Sequence, residues 1–261
     1  MNDYNSTKEL WNKGLEIMKE VKRRLDIHTI INNYCNLLNI KKDLSVAIYS
    51  ANIGNYRDEL SKGIDTMVYD KNIDYYFFTD NKSLTSKYWN IVDTKLQRSI
   101  SFMDSNRHTS KDLKFNVPKI LHKYDIIIWR DSKQIFELRR LNIQKKKIIK
   151  LFNNNINALF LFRHRHRISS KQEIITTVKL GMEDYTNGVK LFNKIKNIKF
   201  NTLLPDTECM IYSNKNIHIF NKVYNELIQH KIKRDQNIIQ YAFKKYKHEN
   251  KISYFKYNEL Y

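Results

Sequence analysis

Residues 124–131 read Tyr-Asp-Ile-Ile-Ile-Trp-Arg-Asp, a run of bulky and β-branched side chains that closes on an acid. A short apolar run of this kind predicts a buried central strand. The acid, Asp131, would then lie at the carboxyl edge of a sheet, where open α/β sheets bind their ligands. The segment predicts an α/β fold with Asp131 at its binding edge.

Further apolar segments predict strands, and helical patterns separate most of them. The expected strands are 44–50, 75–78, 89–92, 158–162 and 209–212, and the expected helices are 107–122, 170–180, 183–195, 216–230 and 234–246. Strands separated by helices indicate a mixed or mostly parallel sheet covered on both faces. An apolar stripe at helical spacing over residues 5–38 predicts an N-terminal helical extension. We therefore expect an extension over 1–42 and one α/β domain over 43–261.

Composition limits the class of protein. A hydrophobic fraction of 41% is too high for a disordered chain. The net charge of +20 predicts attraction to nucleic acid, anionic membranes or phosphorylated substrates. An AT-rich coding sequence would also produce part of this excess of Lys. No signal peptide and no apolar run of membrane-spanning length is found, so we expect a cytoplasmic protein with peripheral membrane contact through Lys-rich faces.

Several residues predict a site for a nucleotide. Strands ending in Tyr49-Ser50, Thr79-Asp80 and Asp131 place polar groups at one edge, where an Asp can accept hydrogen bonds from a base or a ribose. Arg107, Lys111 and Lys114 are spaced to share one helix face, which would suit a pyrophosphate or be an ordinary solvated face. Because no Gly-rich phosphate loop is present, P-loop and Rossmann dinucleotide sites are excluded.

Six motifs in order resemble a glycosyltransferase-like family formerly catalogued as a domain of unknown function, with plant members related to mucilage and cell walls. The motifs are VAIYSANIGNY, YYFFTDN, RHTSKDLK, YDIIIWRDS, LFRHRHR and KRDQ, between residues 44 and about 246. The resemblance implies a GT-A-like (Rossmann-like) fold. It also implies transfer of a sugar from a nucleotide sugar, most simply a UDP-sugar, to a glycan, glycoconjugate or other hydroxyl acceptor.

The resemblance also implies roles for individual residues. Asp131, Asp235 and Glu173 would be catalytic, with Asp131 near the diphosphate and any metal. The residues implied in nucleotide-sugar binding are Tyr49, Ser50, Ala51, Asp80, Arg107, Lys111, His164, Arg167 and Gln236, and Lys133 joins this set through its charge and not through the resemblance. Asp235 or Glu173 would support the oxocarbenium-like centre or act as a base. Retaining and inverting outcomes both stay open.

The sequence departs from a full Asp-x-Asp pattern, because Lys133 stands two residues after Asp131. A divalent ion prefers several oxygen ligands, so Asp131 alone is a poor site for Mn²⁺ or Mg²⁺ unless His164, Asp235 or another carboxylate helps. Lys133 could instead neutralise the leaving diphosphate. Metal dependence is therefore left open.

Simpler interpretations stand beside each of these roles. His164 and His166 would belong to a basic strand end, Asp235 would cap the last helix, and Glu173 would favour a helix N-terminus. Two other functions also fit the sequence. One is a nucleic-acid-binding protein that uses the +20 charge, although its basic residues are dispersed and no nucleic-acid module is found. The other is a degenerate transferase that binds a nucleotide sugar without turning it over.

Overall fold

The computed structural model describes residues 12–13, 15–16, 44–56, 64–65, 69–133, 144–153 and 158–255. Contacts divide the chain into two compact units, 1–43 and 44–261. The helix expected over 5–38 lies outside the described residues, apart from four helical positions between 12 and 16. The proposed extension therefore stays a prediction.

The second unit contains a seven-stranded sheet. Its strands are β1 (Val46–Asn52), β2 (Asp74–Thr79), β3 (Asn90–Asp93), β4 (Ile126–Arg130), β5 (Leu159–Arg163), β6 (Pro205–Ser213) and β7 (Ile252–Phe255). Their spatial order is β3-β2-β1-β4-β6-β5-β7. All neighbouring pairs are parallel except the two that involve β6. The carboxyl ends of the other strands and the beginning of β6 therefore share one edge, which we call the carboxyl edge.

Helices cover both faces of the sheet. They are α1 (Ser105–Phe115), α2 (Lys145–Asn153), α3 (Ser170–Lys179), α4 (Tyr185–Ile195), α5 (Ile217–Gln229) and α6 (Asp235–Lys245). Short 3-10 turns span Lys119–Leu121, Asn214–Asn216 and Glu249–Lys251. One hydrophobic core lies between the sheet and the group of helices α1, α3, α4, α5 and α6. A second core on the opposite face includes Ile148 and Phe152 of α2.

The central strands are buried on both faces, as parallel strands between helix layers must be. Every residue of β1 and of β4 is buried, and β4 lies in the middle of the sheet. The predicted α/β class, with a mixed and mostly parallel sheet flanked by helices, is confirmed. Within the described residues, no helix combines the length and the apolar character needed to cross a bilayer.

Two predicted boundaries were wrong by several residues, and one strand was missed. The helix expected over 107–122 ends at Phe115, because Pro118 lacks an N–H and disfavours helical backbone before it. Strand β6 is longer than 209–212 and begins at Pro205. Strand β7 was missed, since this edge strand has only four residues, three of them half-buried, and so has no long apolar run.

Candidate functional site

The cationic face of α1 lies at the carboxyl edge. Asp104 caps the helix by accepting a hydrogen bond from the Arg107 amide at 2.8 Å, and Leu113 is buried in the core. Lys111 and Lys114 project to the same side, as their spacing predicted, and both reach Asp235. Arg107 is exposed one turn earlier in the helix.

Lys114 joins two carboxylates that are far apart in sequence. Its Nζ lies 3.2 Å from Asp131 Oδ1 and 3.0 Å from Asp235 Oδ2. Lys111 Nζ donates to the other oxygen of Asp235 at 3.0 Å, and the indole N–H of Trp129 donates to Asp131 Oδ1 at 2.8 Å. One ammonium thus brings the end of β4 and the start of α6 together. We call these four charged residues, Lys111, Lys114, Asp131 and Asp235, the edge network.

Burial and charge act in opposite directions inside the edge network. Burial alone would raise the pKa of Asp235, but Lys111 and Lys114 outweigh it and hold that pKa well below its usual range. Burial would likewise lower the pKa of Lys114, yet Asp131 and Asp235 raise it overall. For Lys111 burial prevails, and its pKa is lowered. Asp235 is 6% exposed and Asp131 32%, so Asp131 is the carboxylate open to a ligand.

Asp235 does not act as the N-cap that the simpler interpretation allowed. The N-cap position of α6 belongs to Arg234, whose side chain makes no capping hydrogen bond, and Asp235 is the first helical residue. Its carboxylate pairs with α1 instead of with its own helix. The pairing links α6 to α1 through charge.

Asp80 holds the turn that follows β1. Its Oδ1 accepts a hydrogen bond from the Gly54 amide at 2.9 Å, and Asn52 Oδ1 accepts one from the Tyr56 amide at 2.9 Å. Gly54 has a φ of +67°, and a Cβ there would lie 2.1 Å from Nδ2 of Asn106 in α1. The turn is therefore pressed against the start of α1, and its positive φ at Gly54 favours glycine. Tyr56, 53% exposed, stands at its end.

The three residues predicted at the end of β1 are all buried. The Tyr49 hydroxyl lies 3.0 Å from that of Tyr212 and donates to the Lys114 carbonyl at 3.1 Å. Burial raises the pKa of the Tyr49 phenol. Ser50 and Ala51 are buried as well. In this arrangement the Tyr49 ring is part of the core under α1, and its contact with a nucleoside stays a prediction.

Glu173 lies in a second cluster of charges. Its fully buried carboxylate pairs with Arg167 through Oε2 and lies 3.6 Å from Arg234 Nε through Oε1. His164 Nε2 is 3.8 Å from Oε2, while His164 Nδ1 accepts the amide of Arg167 at 3.1 Å. Burial lowers the pKa of His164 more than Glu173 raises it. We call His164, Arg167, Glu173 and Arg234 the Glu173 cluster.

The segment before α6 is fixed by a buried acid that sequence reasoning missed. The Glu183 carboxylate accepts the amides of Lys233 and Arg234, each at 3.1 Å to Oε2. It also accepts from Asn237 Nδ2 at 3.0 Å. The Gln236 amide oxygen in turn accepts from Arg234 Nη2 at 3.1 Å. Glu183 thus sets the backbone position from which Asp235 reaches α1.

Two more acids line the beginning of β6. Lys133 pairs with Glu208, and although burial lowers the pKa of Lys133, Glu208 raises it overall. Asp206 accepts the Glu208 amide at 3.0 Å. Burial, followed by the charges of Glu208 and Asp131, raises the pKa of Asp206 to about 6. Sequence reasoning missed both acids, because only the antiparallel direction of β6 brings its start beside Asp131.

The donor set around Asp131 does not fit a divalent ion. Asp131 Oδ1 already accepts hydrogen bonds from Lys114 and Trp129, and Mn²⁺ or Mg²⁺ requires several oxygen ligands. In the part of the chain that the structure describes, no three Asp, Glu, His or Cys side chains form a group that could hold a metal ion. The use of a metal stays a prediction.

Most of the predicted residues fall into three groups, and the other three, Tyr49, Ser50 and Ala51, are buried at the end of β1. The edge network brings Lys111, Asp131 and Asp235 together, with Lys133 two residues after Asp131. Glu173, His164 and Arg167 form the Glu173 cluster, which Arg234 connects to Gln236 and α6. Asp80 holds the turn after β1, beside the start of α1, where Arg107 is exposed. Lys114 was noticed from its spacing, and only the fold revealed that it bridges the two acids.

Comparison with known proteins finds similar solved structures but no matching family. No family model matches the chain, and no curated protein matches it. Among solved structures, the apo-form glycosyltransferase GlyE of Streptococcus pneumoniae TIGR4 is 11% identical with a TM-score of 0.39, covering 83% of this chain and 46% of that one. A second structure of glycosyltransferase GlyE from that organism is 12% identical with a TM-score of 0.38, covering 82% and 45%. This chain spans less than half the length of either.

Proposed function

We propose that the protein is a glycosyltransferase that uses a nucleoside-diphosphate sugar, most simply a UDP-sugar, and a hydroxyl acceptor. The observation that carries the proposal is the edge network, in which Lys114 holds Asp131 and Asp235 together at the carboxyl edge. The cations can bind a diphosphate, and the accessible acid can accept the proton of an acceptor hydroxyl. Both lie beside the ends of parallel strands, where α/β sheets bind ligands. The same motifs carried the family resemblance drawn from the sequence.

The nucleoside would lie beside the turn after β1. Asp80 and Asn52 fix this turn, and the exposed ring of Tyr56 offers a face on which a base can stack. Ser50 and Ala51 lead into the turn from β1. Tyr56 takes the stacking role because the ring of Tyr49 is packed in the core.

The diphosphate would lie along α1. Arg107 is exposed next to Asn106, the residue that touches the turn, and Lys111 follows one helical turn later. Lys111 and Lys114 are already held at the edge by Asp235 and need little reorganisation when negative charge develops on the leaving group. Preorganised cations of this kind stabilise a transition state more than mobile ones do. Lys133 supplies a further cation from the end of β4.

In the transfer step the bond between the anomeric carbon and the diphosphate oxygen breaks, and its electron pair leaves with the diphosphate. The acceptor hydroxyl oxygen forms the new bond to the anomeric carbon. For an inverting outcome its proton passes to a carboxylate, and Asp131 is the exposed candidate. Asp235 is nearly buried between two lysines, and its role is to orient them.

The Glu173 cluster has a supporting role in this proposal. A carboxylate with no exposed surface, held between two guanidinium groups, cannot easily reach a substrate hydroxyl. Glu173 is therefore assigned to positioning Arg167 and Arg234, both of which are partly exposed. With His164 and Gln236, these arginines would border the donor sugar. No step of the proposed reaction requires a metal ion.

The first test is calorimetric titration with UDP, GDP and UDP-sugars, followed by assays of sugar transfer and donor hydrolysis. Asp131→Asn should lower turnover by about 10²-fold or more while the fold is retained. Asp74→Asn is the matched control, because Asp74 begins β2 at the opposite edge of the sheet. Absence of nucleotide binding to the wild type, or full activity of Asp131→Asn, would overturn the proposal. Binding without any turnover would identify a binding module, and salt-sensitive binding to DNA or RNA in a filter assay would favour the nucleic-acid alternative.

A further inference from the structure

The turn between α3 and α4 exposes three large apolar side chains within six residues. Leu180 is 63% exposed, Met182 51% and Tyr185 71%. Ile175, on the last turns of α3, is 43% exposed. Single exposed apolar residues are ordinary on protein surfaces, whereas a cluster of them marks an interaction site. We call Leu180, Met182 and Tyr185 the apolar turn.

The backbone holds the apolar turn in this outward arrangement. Gly181 has a φ of +66° and ends the helix, and the Met182 amide donates to the Thr177 carbonyl at 2.8 Å. The next residue, Glu183, is buried, and its carboxylate is fixed by the amides of Lys233 and Arg234. Because the chain is anchored on both sides of Met182, the backbone of the turn cannot fold inward without breaking these hydrogen bonds. The apolar turn is thus a fixed protrusion.

Two lysines in the segments next to the apolar turn are exposed. Lys179 precedes it and is exposed, and Lys231 is exposed in the segment that Glu183 holds beside the turn. The acid within the turn, Asp184, is engaged as the N-cap of α4 and accepts the Asn187 amide at 2.8 Å. Exposed apolar side chains next to exposed lysines fit a surface that is apolar inside and anionic at its boundary. An anionic lipid bilayer has these two properties, and Tyr and Lys both favour its interface.

We propose that the apolar turn inserts into the surface of an anionic membrane. The net charge of +20 would draw the protein to such a membrane, and the apolar turn would set its orientation there. The occupant argued for is lipid and not a second protein, because a rigid tip of three side chains is too small for a stable protein interface yet suffices to enter the boundary between headgroups and acyl chains.

This orientation would bear on the acceptor of the proposed reaction. Glu183 ties the apolar turn to Arg234, and Asp235 of the edge network follows directly. The candidate site would therefore lie close to the bilayer surface. If the proposed transferase function holds, this position favours an acceptor hydroxyl that is itself anchored in the membrane.

Vesicle sedimentation with the full chain tests the membrane proposal. The wild type should bind vesicles that contain phosphatidylglycerol and bind vesicles of phosphatidylcholine alone much more weakly. The double variant Leu180→Ser/Met182→Ser should bind the anionic vesicles about ten-fold more weakly. Ile120→Ser is the matched control, since Ile120 is also exposed but stands apart from the turn. This control should bind like the wild type.

The outcomes separate membrane binding from the transferase proposal. Equal binding by the double variant and the wild type, or no binding of the wild type to anionic vesicles, would overturn the membrane proposal. A wild-type dimer in sedimentation velocity that the double variant loses would also overturn it, in favour of an interface between copies. UDP titration without vesicles is the independent measurement, and the double variant should match the wild type there. If only vesicle binding is lost, the transferase proposal is unaffected. If the wild type does not bind UDP, only the transferase proposal is contradicted.

Discussion

Asp235 and Glu173 are both buried carboxylates held between two cations. The two arrangements differ in where these cations come from and in what else they contact. The cations of Asp235 come from another helix, and one of them continues to the exposed Asp131. The cations of Glu173 come from the segments that flank α3 and α6. One carboxylate therefore organises an accessible charge network, and the other fastens two connecting segments. Buried ion pairs also form for purely structural reasons, and what distinguishes the edge network is that one of its cations continues to a second, partly exposed carboxylate, Asp131.

The strongest test of this difference is Lys114→Met. The substitution leaves Asp235 with one cation and Asp131 with none from α1, so we expect the free energy of unfolding to fall by about 3–5 kcal/mol and transfer to be abolished. Lys111→Met removes a cation that pairs with Asp235 alone, so it should lower the free energy of unfolding by less. Urea unfolding at neutral pH measures both variants. If Lys114→Met lost no more stability than Lys111→Met, the bridge from Lys114 to Asp131 would not contribute to stability.

Glu173→Gln tests the other side of the comparison. Both arginines of the Glu173 cluster are partly exposed, so water can solvate them, and we expect a loss of stability of about 2 kcal/mol. UDP affinity measured by calorimetry should change little in this variant, whereas Asp235→Asn should weaken it by loosening Lys111 and Lys114. If Glu173→Gln weakened UDP binding more than Asp235→Asn, the roles of the two carboxylates would be reversed.

Asp206 offers a test through pH, since its pKa of about 6 lies above the ordinary value for Asp. The folded protein keeps this proton between about pH 4 and 6 while the unfolded chain loses it, so stability falls as the pH rises through that range. Asp206→Asn removes this loss and should be more stable than the wild type by about 1–2 kcal/mol above pH 6. Urea unfolding at several pH values should show the difference growing from pH 4 to 6. The lowered pKa of Asp235 has the opposite effect on stability. Its contribution to the free energy of unfolding is fully present above the ordinary Asp pKa and is lost as the pH falls below it.

The smallest expected effect is that of Glu183→Gln, because Glu183 positions Asp235 without touching the edge network. Glu183→Gln keeps an acceptor oxygen for the amides of Lys233 and Arg234 and should cost about 1 kcal/mol, whereas Glu183→Ala should cost about 2 kcal/mol. In a transfer assay, Glu183→Ala should lower kcat, and the conservative variant should restore most of it. Equal kcat values for Glu183→Ala and the wild type would show that Asp235 does not depend on this support.

The sequence by itself determined most elements of the fold, although not the edge strand β7. The apolar run of 126–129 was sufficient for a buried central strand that ends in an acid, because side chains of this kind lose least when buried in a pleated sheet. The spacing of Lys111 and Lys114 placed them on one helix face, because the period of the α-helix is fixed. The unexpected end of α1 was also readable, since Pro118 is incompatible with a continuing helix.

Only the tertiary structure decided which charges meet. Lys114 lies 17 residues from Asp131, and Lys111 lies 124 residues from Asp235, so no local pattern could reveal that α1 neutralises both acids. The reversal of β6 placed Asp206 and Glu208 at the carboxyl edge, and the same packing buried Tyr49 in the core. Burial and ion pairing depend on distances between elements, which are set by how the helices cover the sheet. Local sequence fixes the shape of each element, whereas long-range packing fixes the electrostatic surroundings of its side chains.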